Sequence, residues 1–303
     1  MKAKVVILSD SKGWHEKQLR QVLDQRGAEV LTVSLLDCAF APNHKTGKIN
    51  VCGLGDTLPD AAIVRGIAAG SFEQVTLRLS FLHALQELGV TVYNTPRAIE
   101  CTVDKSMTSF LLSQSGVPTP RAWVCESIDR VARILEDQKQ DGFKLVLKPL
   151  FGNCGKGLRL INDVSELKDI PEMNGVYYVQ EFVSQQDNNG RDWRVLVDGD
   201  RAVSAMERQS DGWITNRARG AKCLPAKLDD ELASIAVAAA KATNVSYAGI
   251  DIIRNSQGQL AVLEVNSIPA WRGLQQVSEV NIAEALVNDL LARINNVPLQ
   301  AVG

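Results

Sequence analysis

The chain has 303 residues, of which 45% are hydrophobic and 22% are charged, and its formal net charge at pH 7 is −2. This composition is typical of a globular protein with a large core that is divided over two or three domains. The near-neutral charge argues against a general nucleic-acid binder or a protein that attaches to membrane surfaces.

The apolar segments of the chain are all short. The run from Val5 to Leu8 is too short for a signal peptide, and no later stretch approaches the ~20 apolar residues that span a bilayer. We therefore expect a cytoplasmic protein. The six cysteines form no Cys-x-x-Cys pair, which argues against a zinc site and against a disulfide framework.

The first hundred residues alternate apolar strands with helices. The predicted strands are 4–8, 30–33, 61–65 and 90–93, and the predicted helices are 16–26 and 75–88. This order predicts a parallel sheet, and such sheets bind ligands at the carboxyl ends of their strands. Arg65 lies at such an end and is a candidate for an anionic ligand, although a single loop arginine is more often solvated. The helices that cover this sheet offer a surface for a homo-oligomer.

The alternation of strand and helix stops near Pro96, and we place a domain boundary at residue 97. The next segments predict a small α+β module, because Gly116-Val-Pro-Thr-Pro120 must end the helix before it. The predicted elements of this module are a helix that carries Asp104-Lys105 and runs to Gln114, strands at 122–125 and 143–147, and a helix that begins after Ser127. We predict three domains, which span residues 1–97, 98–182 and 183–303.

A lysine and a glycine-rich turn follow the strand at 143–147. Lys148 closes this buried strand, and a lysine in that position needs an anion nearby. The turn from Gly152 to Gly157 lets backbone N–H groups approach phosphate oxygens, and Lys156 adds a mobile charge. The turn is not a Walker loop, because a strand follows it and no Ser or Thr follows the lysine. A flexible glycine hairpin without a ligand is the alternative.

A strand over residues 176–183 ends in polar and then apolar residues. The backbone of Gln180-Glu181-Phe182-Val183 can hydrogen-bond to the edge of an adenine ring, and Glu181 is available for ribose hydroxyls. Taken alone, this segment is a weak signal.

The next segments form a hairpin and a basic loop. The turn at Asp198-Gly199 predicts a hairpin, in which Asp192 and Arg194 share a face of their strand. The loop over 213–220 concentrates cationic and amide donors that suit phosphoryl oxygens and carboxylates. A solvated basic face is the alternative.

The hairpin that follows carries the strongest single signal. Two apolar runs, Gly249–Ile253 and Leu260–Asn266, flank a polar turn. Glu264 and Asn266 share a face, and a register that pairs Asp251 with Glu264 brings the three polar side chains together. Carboxylates in such a place are costly unless a cation neutralises them, and oxygen ligands favour Mg²⁺ or Mn²⁺. An ordinary hairpin with one solvated edge is the alternative.

Taken in chain order, these motifs resemble the ATP-grasp superfamily and, within it, the RimK-type α-L-glutamate ligases. The resemblance covers almost the whole chain and rests on Gly-Arg-Asp-Trp-Arg194, Ala-Met-Glu-Arg208-Gln, Trp-Ile-Thr-Asn216 and Leu-Glu-Val-Asn266-Ser-Ile-Pro. It implies an α/β and α+β protein with the ATP-grasp fold and an N-terminal parallel-sheet (pre-ATP-grasp) domain.

The resemblance also implies roles for individual residues. The implied activity is ATP-dependent ligation of an amine, L-glutamate, to a carboxylate through an acyl phosphate. The implied ligands of two magnesium ions are Asp251, Glu264 and Asn266. The implied catalytic residues are Arg208, Asn216 and Lys148. The implied ATP-binding residues are Lys105, Lys148, Gly155, Lys156, Gly157, Gln180, Glu181, Phe182, Val183, Asp192 and Arg194.

The sequence does not identify the acceptor substrate. RimK-like enzymes act on a ribosomal-protein tail, on deazaflavin or pterin coenzymes such as tetrahydromethanopterin, or on carrier-protein glutamates. The modest net charge disfavours a ribosome-seeking surface, so a small coenzyme is the favoured acceptor. Ile214 and Ala270 depart from the family pattern beside the implied acceptor pocket. The alternatives are a ligase that uses another amine and a nucleotide-binding regulator without catalysis. The full set of metal and phosphate ligands argues against the regulator.

Overall fold

The computed structural model describes residues 2–44, 47–55, 57–140, 142, 144–152, 155–170, 173–185 and 190–296. The chain forms two compact units: unit 1 consists of Met1–Glu100, Val245–Ala248 and Ser267–Gly303, and unit 2 consists of Cys101–Asn244 and Gly249–Asn266. Among the described helices, none combines the length and the apolar character that crossing a bilayer requires.

Strands and helices alternate in the first part of the chain, and strands dominate the middle. The strands are β1 (Lys4–Leu8), β2 (Glu29–Val33), β3 (Ala39–His44), β4 (Gly47–Asn50), β5 (Ala61–Val64), β6 (Thr91–Tyr93), β7 (Ala122–Cys125), β8 (Leu145–Lys148), β9 (Arg159–Ile161), β10 (Tyr177–Glu181), β11 (Gly190–Asp198), β12 (Arg201–Ser210), β13 (Lys222–Pro225), β14 (Tyr247–Arg254) and β15 (Leu260–Asn266). The helices are α1 (Trp14–Gln25), α2 (Phe72–Glu87), α3 (Pro96–Val103), α4 (Lys105–Gln114), α5 (Ile128–Gln140), α6 (Asp230–Ala242), α7 (Arg272–Gln275) and α8 (Ile282–Asn296).

Unit 1 is built on a parallel sheet with the strand order β2-β1-β5-β6. Residues Val5–Leu8 and Ala61–Val64 of its two central strands are at most 2% exposed, as expected for a parallel sheet that is covered on both faces. The predicted parallel sheet is therefore confirmed. The short hairpin of β3 and β4 is an addition that the sequence did not indicate.

Unit 1 also includes two segments from the end of the chain. The buried Asn94 side chain donates to the carbonyls of Tyr247 and Ser267, each at 2.7 Å, and α8 packs against α1 and β6. These contacts attach the last segment to the N-terminal sheet. The observed division therefore differs from the predicted third domain, which assigned the whole of 183–303 to one domain.

Unit 2 contains a four-stranded sheet with the order β7-β10-β8-β9 and a five-stranded sheet with the order β13-β12-β11-β14-β15. Helix α5 packs on the first sheet and α6 on the second. The spacing of apolar residues explains the packing of α6: Leu232, Ala236 and Ala239 lie on one face of the helix and are buried. In the β14–β15 hairpin Asp251 pairs with Glu264, so the predicted register is confirmed.

Candidate active site

A cavity of about 340 Å³ in unit 2 brings together most of the predicted site residues. This volume is in the range of small-molecule sites. The predicted residues in its wall are Lys105, Lys148, Gly155, Lys156, Gln180, Glu181, Phe182, Val183, Asp192, Arg208, Asn216, Asp251 and Glu264. Motifs that are far apart in the sequence thus converge on one site.

Three predicted residues are absent from the described wall of this cavity. Gly157 has a φ of +74° and lies against Pro149, whose ring a β-carbon on Gly157 would contact at 2.8 Å. Arg194 binds the carboxylate of Asp251, and Asn266 is anchored to the backbone next to the site. These residues shape the site from outside the wall.

A second cavity in unit 2 is larger, about 1120 Å³, and shares Glu181–Ser184 with the first. The charged residues in its described wall are only Lys144, Glu181 and Glu231. Catalytic sites are recognised by convergent charged groups more than by size. We therefore take the smaller cavity, with its several cations and carboxylates, as the candidate active site.

A buried network of two arginines and two aspartates forms one side of the cavity. Arg208 donates through Nε to Asp192 at 2.7 Å and makes a second, very short contact with the same carboxylate. It also lies 3.0 Å from Asp251. Arg194 donates twice to Asp251, each time at 2.7 Å. The charges can be buried because each is paired through charge-assisted hydrogen bonds.

The network shifts the protonation of its members. Burial raises the pKa of Asp192, and the neighbouring Arg208 opposes this effect. Burial also acts to raise the pKa of Asp251, but Arg194 and Arg208 outweigh it and hold that pKa below its ordinary value. The pKa of Arg208 is raised, because the two carboxylates outweigh the effect of burial. Asp251 and Arg208 therefore remain charged.

Lys148 ends β8 with its ammonium group in the cavity wall. Its Nζ donates to Gln180 Oε1 at 2.5 Å, and Gln180 Nε2 in turn donates to the Tyr178 hydroxyl at 3.1 Å. Burial lowers the pKa of Lys148 to about 8; Glu264 opposes this shift and Lys105 reinforces it. A poorly hydrated ammonium with a neutral hydrogen-bond partner is suited to a phosphate oxygen.

Gly155 brings the glycine loop close to the loop that carries Asn216. Its φ is +67°, and a β-carbon would collide with the Asn216 amide and lie 3.2 Å from Ile214 Cγ2. Only glycine fits such a position without strain. Residues 153–154 of the predicted loop lie outside the described residues.

Lys105 is the first residue of α4, and Asp104 caps this helix by accepting from the N–H of Ser106 at 2.8 Å. The cap explains the position of the lysine at the edge of the cavity. Lys105 Nζ donates to the carbonyls of Leu150 and Gly152 at 3.3 and 3.2 Å. Lys105 thereby holds the start of the glycine loop.

The other end of the cavity is apolar. Its lining includes Val146, Leu158, Phe182, Ile253 and Leu263. The N–H of Val183 has no acceptor in the described part of the chain. An apolar slot beside a free backbone donor suits a flat heteroaromatic ring. Sequence reasoning missed Val146, although its place two residues before Lys148 puts both on one face of β8.

The predicted metal ligands each retain a suitable oxygen. Glu264 is 32% exposed and lies 3.8 Å from Lys105, and it accepts no hydrogen bond from the described residues. Asn266 donates Nδ2 to the Gly249 carbonyl at 3.2 Å, which leaves its Oδ1 available. Asp251 Oδ1 accepts one hydrogen bond, from Arg194, so it keeps a lone pair. This donor set fits Mg²⁺ or Mn²⁺.

Comparison with protein families shows which family the chain belongs to. The chain matches the RimK-like ATP-grasp domain over residues 102–290 and the RimK PreATP-grasp domain over residues 3–99. Several relatives are named tetrahydromethanopterin:alpha-L-glutamate ligase. That of Methanococcus maripaludis is 39% identical over 236 residues, which are 76% of this chain and 78% of the relative. That of Methanosarcina acetivorans is 33% identical over 303 residues, 89% of each chain.

A bacterial relative and solved structures extend the comparison. A probable alpha-L-glutamate ligase of Legionella pneumophila is 31% identical over 282 residues, 90% of each chain. The ATP-grasp ligase PsnB complexed with its minimal precursor has a TM-score of 0.75 and 24% identity, over 96% of this chain and 99% of that one. D-cycloserine synthetase DcsG has a TM-score of 0.71 and 16% identity, over 96% of this chain and 100% of that one. The predicted ATP-grasp fold is confirmed, and the chain belongs to the RimK-like ATP-grasp family.

Proposed function

We propose that this protein joins L-glutamate to a carboxylate of a small coenzyme acceptor at the expense of ATP, and that the acceptor is tetrahydromethanopterin or a chemically similar pterin. The observation that carries the proposal is the pairing of Asp251 with Glu264 in the same cavity wall as Lys148 and Arg208. The same cavity wall thus offers carboxylates that suit a metal ion and cations that suit phosphoryl oxygens. Relatives named for this reaction, at 33% and 39% identity, support the glutamate and the acceptor.

The first step activates the acceptor. Its carboxylate attacks the γ-phosphorus of ATP, the bond to the β-phosphate oxygen breaks, and an acyl phosphate and ADP form. Negative charge spreads over the phosphoryl oxygens in the transition state, and Lys148 and Arg208 stabilise it from the wall. Mg²⁺ bound by Asp251, Glu264 and Asn266 would neutralise further phosphate charge. Glu264 accepts no hydrogen bond from the described residues, so both of its oxygens would be available as metal ligands.

The second step forms the amide bond. The amine of L-glutamate attacks the carbonyl carbon of the acyl phosphate, inorganic phosphate leaves with the C–O bonding electrons, and the nitrogen loses a proton. Water would hydrolyse the acyl phosphate, so the site must exclude it. The approach of the glycine loop to Asn216 at Gly155 supports a role for this loop in covering the reacting groups.

The test incubates the purified protein with MgCl₂, ATP, isotope-labelled L-glutamate and tetrahydromethanopterin, and follows the label by mass spectrometry. We expect labelled glutamyl-coenzyme and one ADP for each amide bond. Glu264→Gln should abolish both products, whereas Glu207→Gln, which replaces a carboxylate outside the described cavity wall, should retain them. Continued ATP turnover in Glu264→Gln would contradict the metal assignment.

Other outcomes replace the proposal with a different function. When a cell extract is the acceptor source, label on a protein terminus would identify a protein-modifying ligase. ADP without label would indicate that the amine is not glutamate. If neither ADP nor labelled product forms, the result would favour a nucleotide-binding regulator.

A further inference from the structure

Arg65 lies outside the candidate active site, directly after β5 at the carboxyl end of the parallel sheet of unit 1. Its guanidinium carbon lies 4.5 Å from the ring centre of Trp271. It donates to the Pro269 carbonyl at 2.8 Å and to the Tyr247 hydroxyl at 3.4 Å. All these partners are neutral, and Arg65 forms no ion pair with the described residues. Because a guanidinium is always protonated, its positive charge is not neutralised.

Two N–H groups of this cluster are buried without an acceptor in the described part of the chain. They are Arg65 Nε and Trp271 Nε1. Trp271 is only 1% exposed, whereas Arg65 is half-buried and keeps an exposed edge. Buried donors in folded proteins almost always have a partner. An uncompensated charge beside two unpaired donors indicates a site for an anion from solution.

The first turn of α1 lies against the same indole. The ring centres of His15 and Trp271 are 4.6 Å apart, and those of Trp14 and Trp271 are 6.5 Å apart. His15 Nε2 accepts from the N–H of Trp271 at 3.0 Å, so this nitrogen carries no proton. The N-cap of α1 is Gly13, which has no side chain to accept from the first N–H groups. The positive end of the helix therefore adds to the attraction for an anion.

The charge balance decides which anion fits. The acid at the end of β1, Asp10, accepts the hydroxyl proton of Ser34 at 2.6 Å and forms no ion pair with Arg65. The Arg65 guanidinium carries a single positive charge, which balances a single carboxylate. A phosphate would keep surplus negative charge. The planar guanidinium, supported by the indole ring, also matches the geometry of a carboxylate.

We propose that Arg65, supported by Trp271 and the first turn of α1, forms a binding site of unit 1 for a small carboxylate ligand. All residues of this site belong to unit 1, whereas the candidate active site belongs to unit 2. The inference therefore does not depend on the proposed function.

A binding experiment tests the site without catalysis. The chain has five tryptophans, so the indole N–H groups give few resonances in a ¹H–¹⁵N spectrum, and Trp271→Phe identifies that of Trp271. The nucleotide-free protein is titrated with glutarate and, separately, with inorganic phosphate. Glutarate should shift the Trp271 resonance in a saturable manner, and phosphate should do so only at higher concentration. Preference for phosphate, or no saturable shift with either probe, would overturn the proposal.

Variants connect this response to Arg65. Arg65→Gln should abolish the shift. Arg65→Lys should weaken glutarate binding about tenfold, because one charge-assisted hydrogen bond is lost. The control is Arg78→Lys, because Arg78 is another arginine of unit 1 that donates to backbone carbonyls, those of Ala68 and Ala69. It should respond like the unaltered protein. An unchanged response in folded Arg65→Gln would overturn the proposal.

Discussion

Asp192 shows how a residue can control the cavity without any need to bind the nucleotide. It is 2% exposed, and Arg208 donates to both of its oxygens. Its assignment to the ATP-binding set remains a prediction. The observed contacts indicate a positioning role, in which Asp192 fixes the Arg208 guanidinium that we propose stabilises the phosphoryl group.

Replacing Asp192 by Asn tests this role. The substitution keeps the shape of the side chain but leaves Arg208 with a weaker partner, so kcat should fall about 10²-fold because the guanidinium is less well placed, while the KM for ATP changes little. The free energy of unfolding should fall by about 3–5 kcal/mol, as for other broken buried ion pairs.

The matched control is Asp200→Asn, since Asp200 lies in the turn of the same hairpin and its side chain is 82% exposed. Asp200→Asn should change neither kcat nor the free energy of unfolding measurably. If Asp192→Asn and Asp200→Asn behave alike in steady-state assays and in denaturant unfolding, the positioning role is wrong.

Lys148 predicts a pH dependence of nucleotide binding. Its pKa is lowered to about 8, so the ammonium loses its proton as the pH rises through that value. The KM for ATP should therefore be constant below about pH 7 and rise above pH 8. Lys148→Arg keeps its charge over the whole range and should lose this rise, even if its affinity is lower. A KM for ATP that stays constant up to pH 9.5 in the unaltered protein would contradict the assignment.

The same pKa shift has the opposite effect on stability: ATP binding weakens as the pH rises, whereas the contribution of Lys148 to the free energy of unfolding increases. Between the folded pKa and the ordinary pKa of 10.5, the unfolded chain binds more protons at this lysine than the folded chain does. The contribution of Lys148 to the free energy of unfolding of the nucleotide-free protein therefore rises with pH in this interval.

The glycine loop depends on its backbone conformation and on its close approach to Asn216. Gly155→Ala should weaken ATP binding about 10-fold to 100-fold, because the added methyl group must push the loop away from Asn216, while the positive φ adds about 1 kcal/mol of strain. Gly175→Ala is the matched control, since Gly175 has a φ of +73° but no atom within 4 Å of a β-carbon. Equal loss of ATP affinity in both variants, measured by calorimetry, would show that the approach to Asn216 is unimportant.

Local pattern was sufficient for the β14–β15 hairpin, because side-chain alternation fixed both its strands and its register. It was not sufficient for β11–β12. Continuing the pairing of Asp198 with Arg201 would place Asp192 opposite Glu207, but a bulge between Leu196 and Val197 shifts the register and places Asp192 opposite Arg208. A bulge of this kind depends on tertiary packing and leaves no clear sequence signal.

Other parts of the fold and site were also beyond local reasoning. The four residues of β13 are too short for a periodic pattern. The attachment of the chain's last segment to the first sheet is a long-range contact that no local propensity encodes. Most residues that line the candidate site, in contrast, could be predicted, because the order and spacing of its motifs are characteristic of the family even where each motif is weak.

Asn94 is the residue that holds the separate segments of unit 1 together. Besides its two donated hydrogen bonds, its Oδ1 accepts from the N–H groups of Ser246 and Tyr247. Asn94→Ala should lower the free energy of unfolding by at least about 3 kcal/mol, because it leaves several buried backbone groups unpaired. Asn288→Ala, on the exposed side of α8, should change it by less than about 0.5 kcal/mol. Similar denaturation midpoints for the two variants would contradict this role.

The division of the chain between the two units has a consequence for protein synthesis. The chain passes between the units after residues 100, 244, 248 and 266. All segments of unit 2 have been made once residue 266 has left the ribosome, whereas unit 1, whose first strand is made at the outset, must wait for α8. The part of the protein that is begun first is thus completed last, and its parallel sheet must remain without its C-terminal cover while the candidate active site can already assemble.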